Sequence, residues 1–262
     1  MITEEQRTII KKLDEYFKHN NFKYVMIGAT VASLLIDLKQ GRTDFRGTED
    51  VDYSIEVEDW QDFEKIKKDL NNLGFEQNVN GIEHRFGRDD VLVDILPYGK
   101  NLQKEGIIVF PGTERRINVR GFDKLFKYFQ QEKINENLSI NIIPLPLLVF
   151  TKILAYQDRQ ATKDLEDIYY VLTHYEKPPE SERRFEISYK NNINYEYTGA
   201  YILGKDLQEL LDKSEVEIVK NFLMMEDGRY SNIIQRLAAP TSENTEDIYN
   251  MFAYFKKGSG IT

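Results

Sequence analysis

The pattern of apolar residues changes at Pro144 and Pro146, and this change limits the fold more than any other feature. Before the two prolines, short apolar runs alternate with segments of helical spacing, which predicts strands and helices packed in an α+β arrangement. After them, apolar residues recur mainly at helical spacing. We therefore expect a mixed β-sheet with flanking helices over residues 1–143, followed by a mainly helical region over residues 144–262.

Composition excludes several kinds of site. The 262 residues include no cysteine, so disulfides, thiolate nucleophiles, iron–sulfur clusters and cysteine-based zinc sites are all excluded. The three histidines lie far apart in the sequence, and a bound metal would therefore depend on carboxylates. The net charge of -9 argues against tight, non-specific binding to long nucleic acid, although it allows a small basic patch.

The sequence also lacks a recognisable secretory signal and a membrane span, and both absences bear on the expected location. The first residues carry neither a basic segment nor an apolar core of a secretory signal. No apolar run approaches the roughly 20 residues of a membrane span. We expect a cytoplasmic protein with no membrane partner.

Several local patterns predict individual elements of the first region. Thr3 and Gln6 have the spacing of a helix capping box, and a strand at 24–27 ends in a glycine turn before a helix at 31–38. An Asn80-Gly81 turn predicts a hairpin between strands 75–79 and 82–86. The remaining predicted strands are 51–57, 91–96, 107–110, 116–119 and 140–143, and the remaining predicted helices are 60–73 and 122–131.

The second region reads as a series of helices. Helical spacing covers 147–157, 165–174, 205–211, 215–225, 232–237 and 246–256. The stretch 176–184 contains Pro178-Pro179 and is the best candidate for a linker.

Three carboxylates and a glycine turn form the candidate site. Asp50 and Asp52 are two residues apart on a predicted strand, so both side chains point to one face and repel each other unless a cation lies between them. Asp94 is the only charge in an otherwise apolar strand. Such a set can hold two Mg²⁺ ions for phosphoryl transfer, and the turn at Gly28 lets a phosphate approach the main chain.

These motifs resemble the polymerase-beta-like nucleotidyltransferase superfamily. The matching segments are Gly28-Ala29-Thr30, Arg46-x-Thr48-x-Asp50-Val51-Asp52 and Val93-Asp94-Ile95-Leu96-Pro97. A later stretch, from Lys152 through Arg159 and Lys163-Asp164 to Asp167, is similar to the AbiEii-type family. The best-known members of that family are toxins of toxin–antitoxin and phage-defence systems. The resemblance covers roughly residues 20 to 175.

The resemblance implies a role for each matching residue. Asp50, Asp52 and Asp94 would be catalytic and would bind Mg²⁺, with Asp94 also helping to activate the acceptor hydroxyl. The nucleotide would be bound by Gly28, Thr30, Lys152 and Asp164, and Asp167 is a weaker candidate. Residues 1–143 would then be the catalytic core, and residues 144–262 a helical domain that contributes Lys152 and Asp164 to the cleft.

The resemblance also implies partners and leaves alternatives open. The enzyme would move an NMP from an NTP onto a hydroxyl of an RNA or tRNA end, a protein or a small molecule, and an antitoxin would be its partner. The chain departs from the family at Ala29, where the superfamily usually has Gly or Ser. A catalytically inactive binding module and an antibiotic-type nucleotidyltransferase are therefore the two alternatives.

Each residue has a simpler interpretation as well. Gly28 alone is an ordinary turn glycine, and Lys152 fits a surface position on an amphipathic helix. Asp164 and Asp167 near a helix start are favoured by the helix dipole without any role in a site. His84 and Arg85, which lie in a strand before Asp94, could line the cleft, and His84 could equally be a cross-strand surface residue.

Overall fold

A computed structural model describes the chain in two compact units. The described residues are 2–37, 41, 47–48, 50–136, 138–177, 182–223, 229–241 and 244–261. Those within 2–37 and 47–144 form the first unit, and residue 41 together with those within 145–261 forms the second.

The described part of the first unit contains two β-sheets. Its strands are β1 (Tyr24–Ile27), β2 (Asp50–Glu56), β3 (Glu76–Gln77), β4 (Arg85–Arg88), β5 (Val91–Tyr98), β6 (Gln103–Lys104), β7 (Ile107–Val109), β8 (Arg116–Asn118), β9 (Gln130–Asn135) and β10 (Leu138–Ile142). Seven of them form a mixed sheet in the order β3-β4-β5-β2-β1-β10-β9, and β6, β7 and β8 form a small antiparallel sheet. Within the large sheet, β2 runs parallel to β5 and β1 runs parallel to β10, whereas the other pairs are antiparallel. The predicted α+β class with a mixed sheet is confirmed.

The two longer helices of this unit begin at side-chain caps. They are α1 (Glu4–His19), α2 (Thr30–Ala32), which continues as a π turn over Ser33–Asp37, α3 (Trp60–Asn72) and α4 (Phe122–Tyr128). Thr3 and Gln6 make both hydrogen bonds of the predicted capping box. Asp59 caps α3 by accepting hydrogen bonds from two backbone N–H groups.

Alternation along β2 separates the core from the site. Val51 and Tyr53 are fully buried, while Asp50 and Asp52 on the opposite face are half-buried. Tyr53 packs against Phe17 of α1, with ring centroids 5.5 Å apart. The apolar face of the strand thus fixes the direction in which both carboxylates point.

Three local predictions were wrong. Asn80 and Gly81 do form a turn with positive φ, but β3 pairs with β4 at Glu76↔Gly87, so this turn lies inside a longer loop and not between two adjoining strands. The predicted helix 122–131 ends at Tyr128, and Gln130 begins a strand that pairs with β10. Pairing with β10 overrides the local helical spacing there. The predicted regular helix at 31–38 is a short α-helix that changes to a π turn, and Leu38 lies outside the described residues.

Helices make up the secondary structure described in the second unit, as the sequence predicted. They are α5 (Leu145–Arg159), α6 (Thr162–His174), α7 (Glu182–Asn191), α8 (Tyr195–Leu210), α9 (Lys213–Leu223), α10 (Arg229–Thr241) and α11 (Thr245–Gly258). The predicted linker 176–184 ends inside α7, whose Arg184 is fully buried and donates hydrogen bonds to the carbonyls of Tyr175, Tyr195 and Glu196. None of the helices in the described residues combines the length and apolar character that crossing a membrane requires.

Candidate functional site

Three carboxylates converge on one face of the large sheet. Asp50 and Asp52 lie on β2, and the parallel register of β2 and β5 places Asp52 directly beside Asp94. One carboxylate oxygen of each residue lies within 4.8 Å of the others. We call Asp50, Asp52 and Asp94 the acidic triad. All three predicted catalytic residues are therefore brought together.

The turn after β1 lies directly against the acidic triad. Ile27 pairs with Asp52 across the sheet, so Gly28 follows at the level of the Asp52 side chain. Gly28 has a φ of 75°, and a Cβ built on it would lie 2.7 Å from Asp52 Cβ and closer still to the carboxylate. Only glycine fits here, because any side chain would occupy the space of Asp52.

Two threonine hydroxyls hold Asp50 in place. The Thr30 hydroxyl is fully buried and donates to the Asp50 carbonyl at 3.0 Å. The Thr48 hydroxyl donates to the Asp50 carboxylate at 2.7 Å, and the carbonyl of Thr48 accepts a 2.7 Å hydrogen bond from Gln6 of α1. The hydroxyl of Thr30 is thus directed at the main chain of the triad, while its predicted contact with a nucleotide remains a prediction.

Arg85 contributes a positive charge to this site. It lies opposite Asp94 in the antiparallel pairing of β4 and β5. Its Nε and Nη2 atoms donate to the two oxygens of Asp94 at 2.7 and 2.6 Å, and Nη2 lies 3.7 Å from Asp50 Oδ2. These hydrogen bonds to Asp94 raise the pKa of the Arg85 guanidinium. The buried charge of Asp94 is therefore balanced by a bidentate ion pair.

His84 lies beside this ion pair but is turned into the protein. It is 7% exposed, its ring contacts Phe110, and Nδ1 has no hydrogen-bond partner among the described residues. Burial lowers the pKa of His84 to about 4, against an opposing pull from the charge of Asp94. His84 is consequently neutral near pH 7 and adds no charge to the site.

The predicted residues of the second unit form a charge cluster of their own. Lys152 on α5 lies 2.6 Å from Asp167 Oδ2 and 3.8 Å from Asp164 Oδ1, and both aspartates are fully buried on α6. Arg159 makes a bidentate ion pair with Asp164 at 2.5 and 2.7 Å. Asp167, the weaker candidate in the sequence, is thus the aspartate that lies nearer to the Lys152 ammonium. The participation of these residues in nucleotide binding remains a prediction.

Arg85 and Thr48 contribute more to the first-unit site than the sequence indicated. Arg85 was recognised only as a residue near Asp94, because cross-strand register is not visible in a single strand. The motif around Asp50 includes Thr48 but does not indicate its hydrogen bond to the Asp50 carboxylate. The sequence did contain a signal for Arg85, since an unpaired charge in an apolar strand calls for a partner of opposite charge on its neighbour.

Comparison with known proteins places the chain among nucleotidyltransferases. A family model described as nucleotidyl transferase AbiEii toxin, type IV toxin–antitoxin system, matches residues 9–248, and the chain belongs to this family. The comparison with curated proteins found no match.

Two of the solved structures that are similar to this chain have low sequence identity to it. The first is the solution structure of the antibiotic-resistance factor ANT(2″)-Ia, with 14% identity, a TM-score of 0.43, and coverage of 73% of this chain and 96% of that chain. The second is the crystal structure of an antigenic nucleotidyltransferase-like protein from Paracoccidioides brasiliensis, with 17% identity, a TM-score of 0.41, and coverage of 63% and 74% respectively.

Proposed function

We propose that this protein is a Mg²⁺-dependent nucleotidyltransferase that moves an NMP from an NTP onto an acceptor hydroxyl. The observation that carries the proposal is the acidic triad, in which three carboxylate oxygens lie within 4.8 Å of one another. Membership of a nucleotidyltransferase family supports the reaction class. In the transfer, a bond forms between the acceptor oxygen and the α-phosphorus, the bond to the β-phosphate breaks, and pyrophosphate leaves.

The triad fits the cation that this chemistry uses. Its donors are carboxylate oxygens, which Mg²⁺ prefers, and Asp50, Asp52 and Asp94 are the residues that would hold it. When bound, a pair of Mg²⁺ ions would neutralise charge on the transferring phosphate and its leaving group. The absence of a side chain at Gly28 makes room for the Asp52 carboxylate, and the triphosphate would approach the backbone N–H groups of the same turn.

The protein's own groups have distinct tasks in this proposal. The Thr30 and Thr48 hydroxyls fix Asp50, and the pairing with β2 fixes Asp94 beside Asp52. The Asp94 carboxylate accepts the proton of the acceptor hydroxyl as the new bond to phosphorus forms. Lys152 neutralises triphosphate charge, and Asp164 supports it, as the family motif implies.

Family membership supports a proposal for the biological role. We propose that the protein acts as the toxin of a toxin–antitoxin or phage-defence pair, with an antitoxin as its partner. The acceptor belongs to one of three classes, an RNA end such as that of tRNA, a protein side chain or a small molecule. The net charge of -9 favours a local contact with any RNA acceptor over an extended one.

A transfer assay tests the proposal. The protein is incubated with each α-³²P-labelled NTP, Mg²⁺ and separate pools of RNA, protein and small hydroxylic compounds. We expect label in one pool, loss of labelling with EDTA, and loss of at least ~10³-fold in Asp52→Asn, since removal of a metal ligand abolishes the site. Labelling that persists in Asp52→Asn or in EDTA would contradict the two-metal mechanism.

One observation favours a second candidate, a binding module without catalysis. Arg85 already binds both oxygens of Asp94, so the buried carboxylate of the triad has a cationic partner without a metal. Unfolding measured with and without Mg-NTP, beside the transfer assay, separates the two functions. Ligand at ~100 times its dissociation constant stabilises by about 2.7 kcal/mol, so stabilisation without any transfer would indicate the binding module.

A further inference from the structure

Arg85 donates hydrogen bonds to both oxygens of Asp94, which is the one buried carboxylate of the acidic triad. The Asp94 side chain is 12% exposed, and Nε and Nη2 of Arg85 each donate to a different oxygen of it. The same Nη2 lies 3.7 Å from Asp50, so the guanidinium faces two members of the triad at once. A guanidinium stays protonated at every working pH, which makes this a permanent positive charge.

We infer that Arg85 is a positioning residue. It holds the Asp94 carboxylate beside Asp50 and Asp52 and sets how tightly the triad binds a divalent cation. The inference rests on the proposed function, because it takes the acidic triad to be the metal site. A cation that coordinates Asp94 competes with Arg85 for the same oxygens. The metal must use a lone pair that Arg85 leaves free or displace one of its two hydrogen bonds.

The positive charge of Arg85 and its hydrogen bonds to Asp94 both lower the affinity of the triad for a cation. A positive charge at 2.6 Å from Asp94 and 3.7 Å from Asp50 repels a second cation bound to those carboxylates. Each Asp94 oxygen that accepts a hydrogen bond from Arg85 also has one lone pair fewer to offer a metal. The free protein therefore binds the bare ion weakly, and the nucleotide, whose phosphates carry additional ligands, raises that affinity.

The placement of Arg85 on β4 gives it this role. Arg85 and Asp94 are directly opposite in the β4–β5 ladder, so backbone pairing fixes the distance between the two side chains. A lysine at this position keeps the charge but offers a single ammonium in place of a planar fork. Lysine would consequently leave one Asp94 oxygen more accessible.

Mn²⁺ binding to the full-length protein tests the inference with a measurement other than activity. Free Mn²⁺ is measured by electron paramagnetic resonance for wild type, Arg85→Gln, Arg85→Lys and Arg116→Gln, without and with a non-hydrolysable NTP analogue. Arg116 is an exposed arginine of β8, so Arg116→Gln removes the same formal charge away from Asp94. Asp94→Asn serves as the variant with one triad carboxylate removed.

The expected result is a graded change. Without nucleotide, Arg85→Gln binds Mn²⁺ at least tenfold more tightly than wild type, Arg85→Lys falls between the two, and Arg116→Gln equals wild type. The nucleotide analogue narrows the difference, because it raises the affinity of wild type more than that of Arg85→Gln. In the transfer assay, Arg85→Gln reaches half-maximal rate at a lower Mg²⁺ concentration while its maximal rate falls, since Asp94 is no longer held.

Each other outcome has a defined meaning. Equal Mn²⁺ affinity in wild type and Arg85→Gln, or weaker affinity in Arg85→Gln, overturns the role of Arg85 and leaves the metal site intact. No Mn²⁺ binding in any variant, with or without nucleotide, overturns the proposed function itself. Should Arg85→Gln fail to fold, Arg85→Lys decides alone, and an affinity equal to that of wild type overturns the inference.

Discussion

Gly28 and Asp52 occupy adjoining positions so closely that a methyl group on Gly28 would overlap the Asp52 carboxylate. The contact follows from the β1–β2 register, in which Ile27 is the partner of Asp52. The glycine therefore does two things. It adopts a φ of 75° for the turn, and its lack of a side chain leaves space for the Asp52 carboxylate.

Comparison of two glycine replacements separates the backbone strain from the overlap with Asp52. We expect Gly28→Ala to lower the free energy of unfolding by at least about 2 kcal/mol and to abolish transfer, because backbone strain and overlap with Asp52 act together. Gly112→Ala is the matched control, since Gly112 has a φ of 84° but nothing within 4 Å of the added methyl. It should lose only about 1 kcal/mol and keep full activity. Urea unfolding and the transfer assay check both, and equal losses in the two variants would contradict the overlap.

The hydroxyl of Thr30 supports Asp50 through the main chain. We expect Thr30→Val to cost about 1 kcal/mol of stability, because the Asp50 carbonyl loses a buried 3.0 Å hydrogen bond. Thr30→Ser keeps the hydroxyl and should retain the full transfer activity of the wild type. A nucleotide KM that rises in Thr30→Val while stability is unchanged would show instead that the hydroxyl contacts the nucleotide.

Lys152 is expected to matter for folding as well as for any nucleotide. Its ammonium lies 2.6 Å from the buried Asp167, and removal of one partner of a buried ion pair costs about 3–5 kcal/mol. Lys152→Met should therefore unfold at markedly lower denaturant concentration. The double variant Lys152→Met/Asp167→Asn should recover part of that loss, with a coupling energy of at least about 1 kcal/mol. Additive effects of the two single variants would mean that the pair contributes nothing together.

His84 predicts a pH dependence of stability. Its pKa of about 4 in the folded protein, lowered by burial, lies below the ordinary value of 6.5, so the unfolded chain binds a proton more readily. The stabilisation is present above pH 6.5 and is lost as pH falls toward 4, by about 2 kcal/mol between pH 7 and pH 5.

Unfolding of wild type and of His84→Phe in EDTA at the two pH values measures this loss. The variant keeps a ring against Phe110 but cannot titrate, and it should lose about 2 kcal/mol less than wild type over that range. His19→Gln is the control, because His19 is exposed at the end of α1. Identical pH dependence in wild type and His84→Phe would show that the buried histidine is not the titrating group.

Much of the fold was accessible to sequence reasoning where local rules apply. Alternation along β2 predicted that Asp50 and Asp52 share a face, and the Thr3–Gln6 spacing predicted the first helix cap. Pairing between distant segments was not accessible. Gln130 continues a helical pattern in sequence but joins a strand, and Arg85 became the partner of Asp94 only through the β4–β5 register. A single sequence does not specify these registers.

The parallel pairing of β2 with β5 also has a consequence for how the protein matures. Asp52 and Asp94 are neighbours in space, yet α3, β3 and β4 are all synthesised between them. Contacts between segments so far apart in the chain close slowly, since the intervening loop must be ordered first. A slip of one residue between these strands would send Asp94 to the opposite face of the sheet. A nascent or misregistered chain therefore lacks the assembled acidic triad, which forms only with the native strand register.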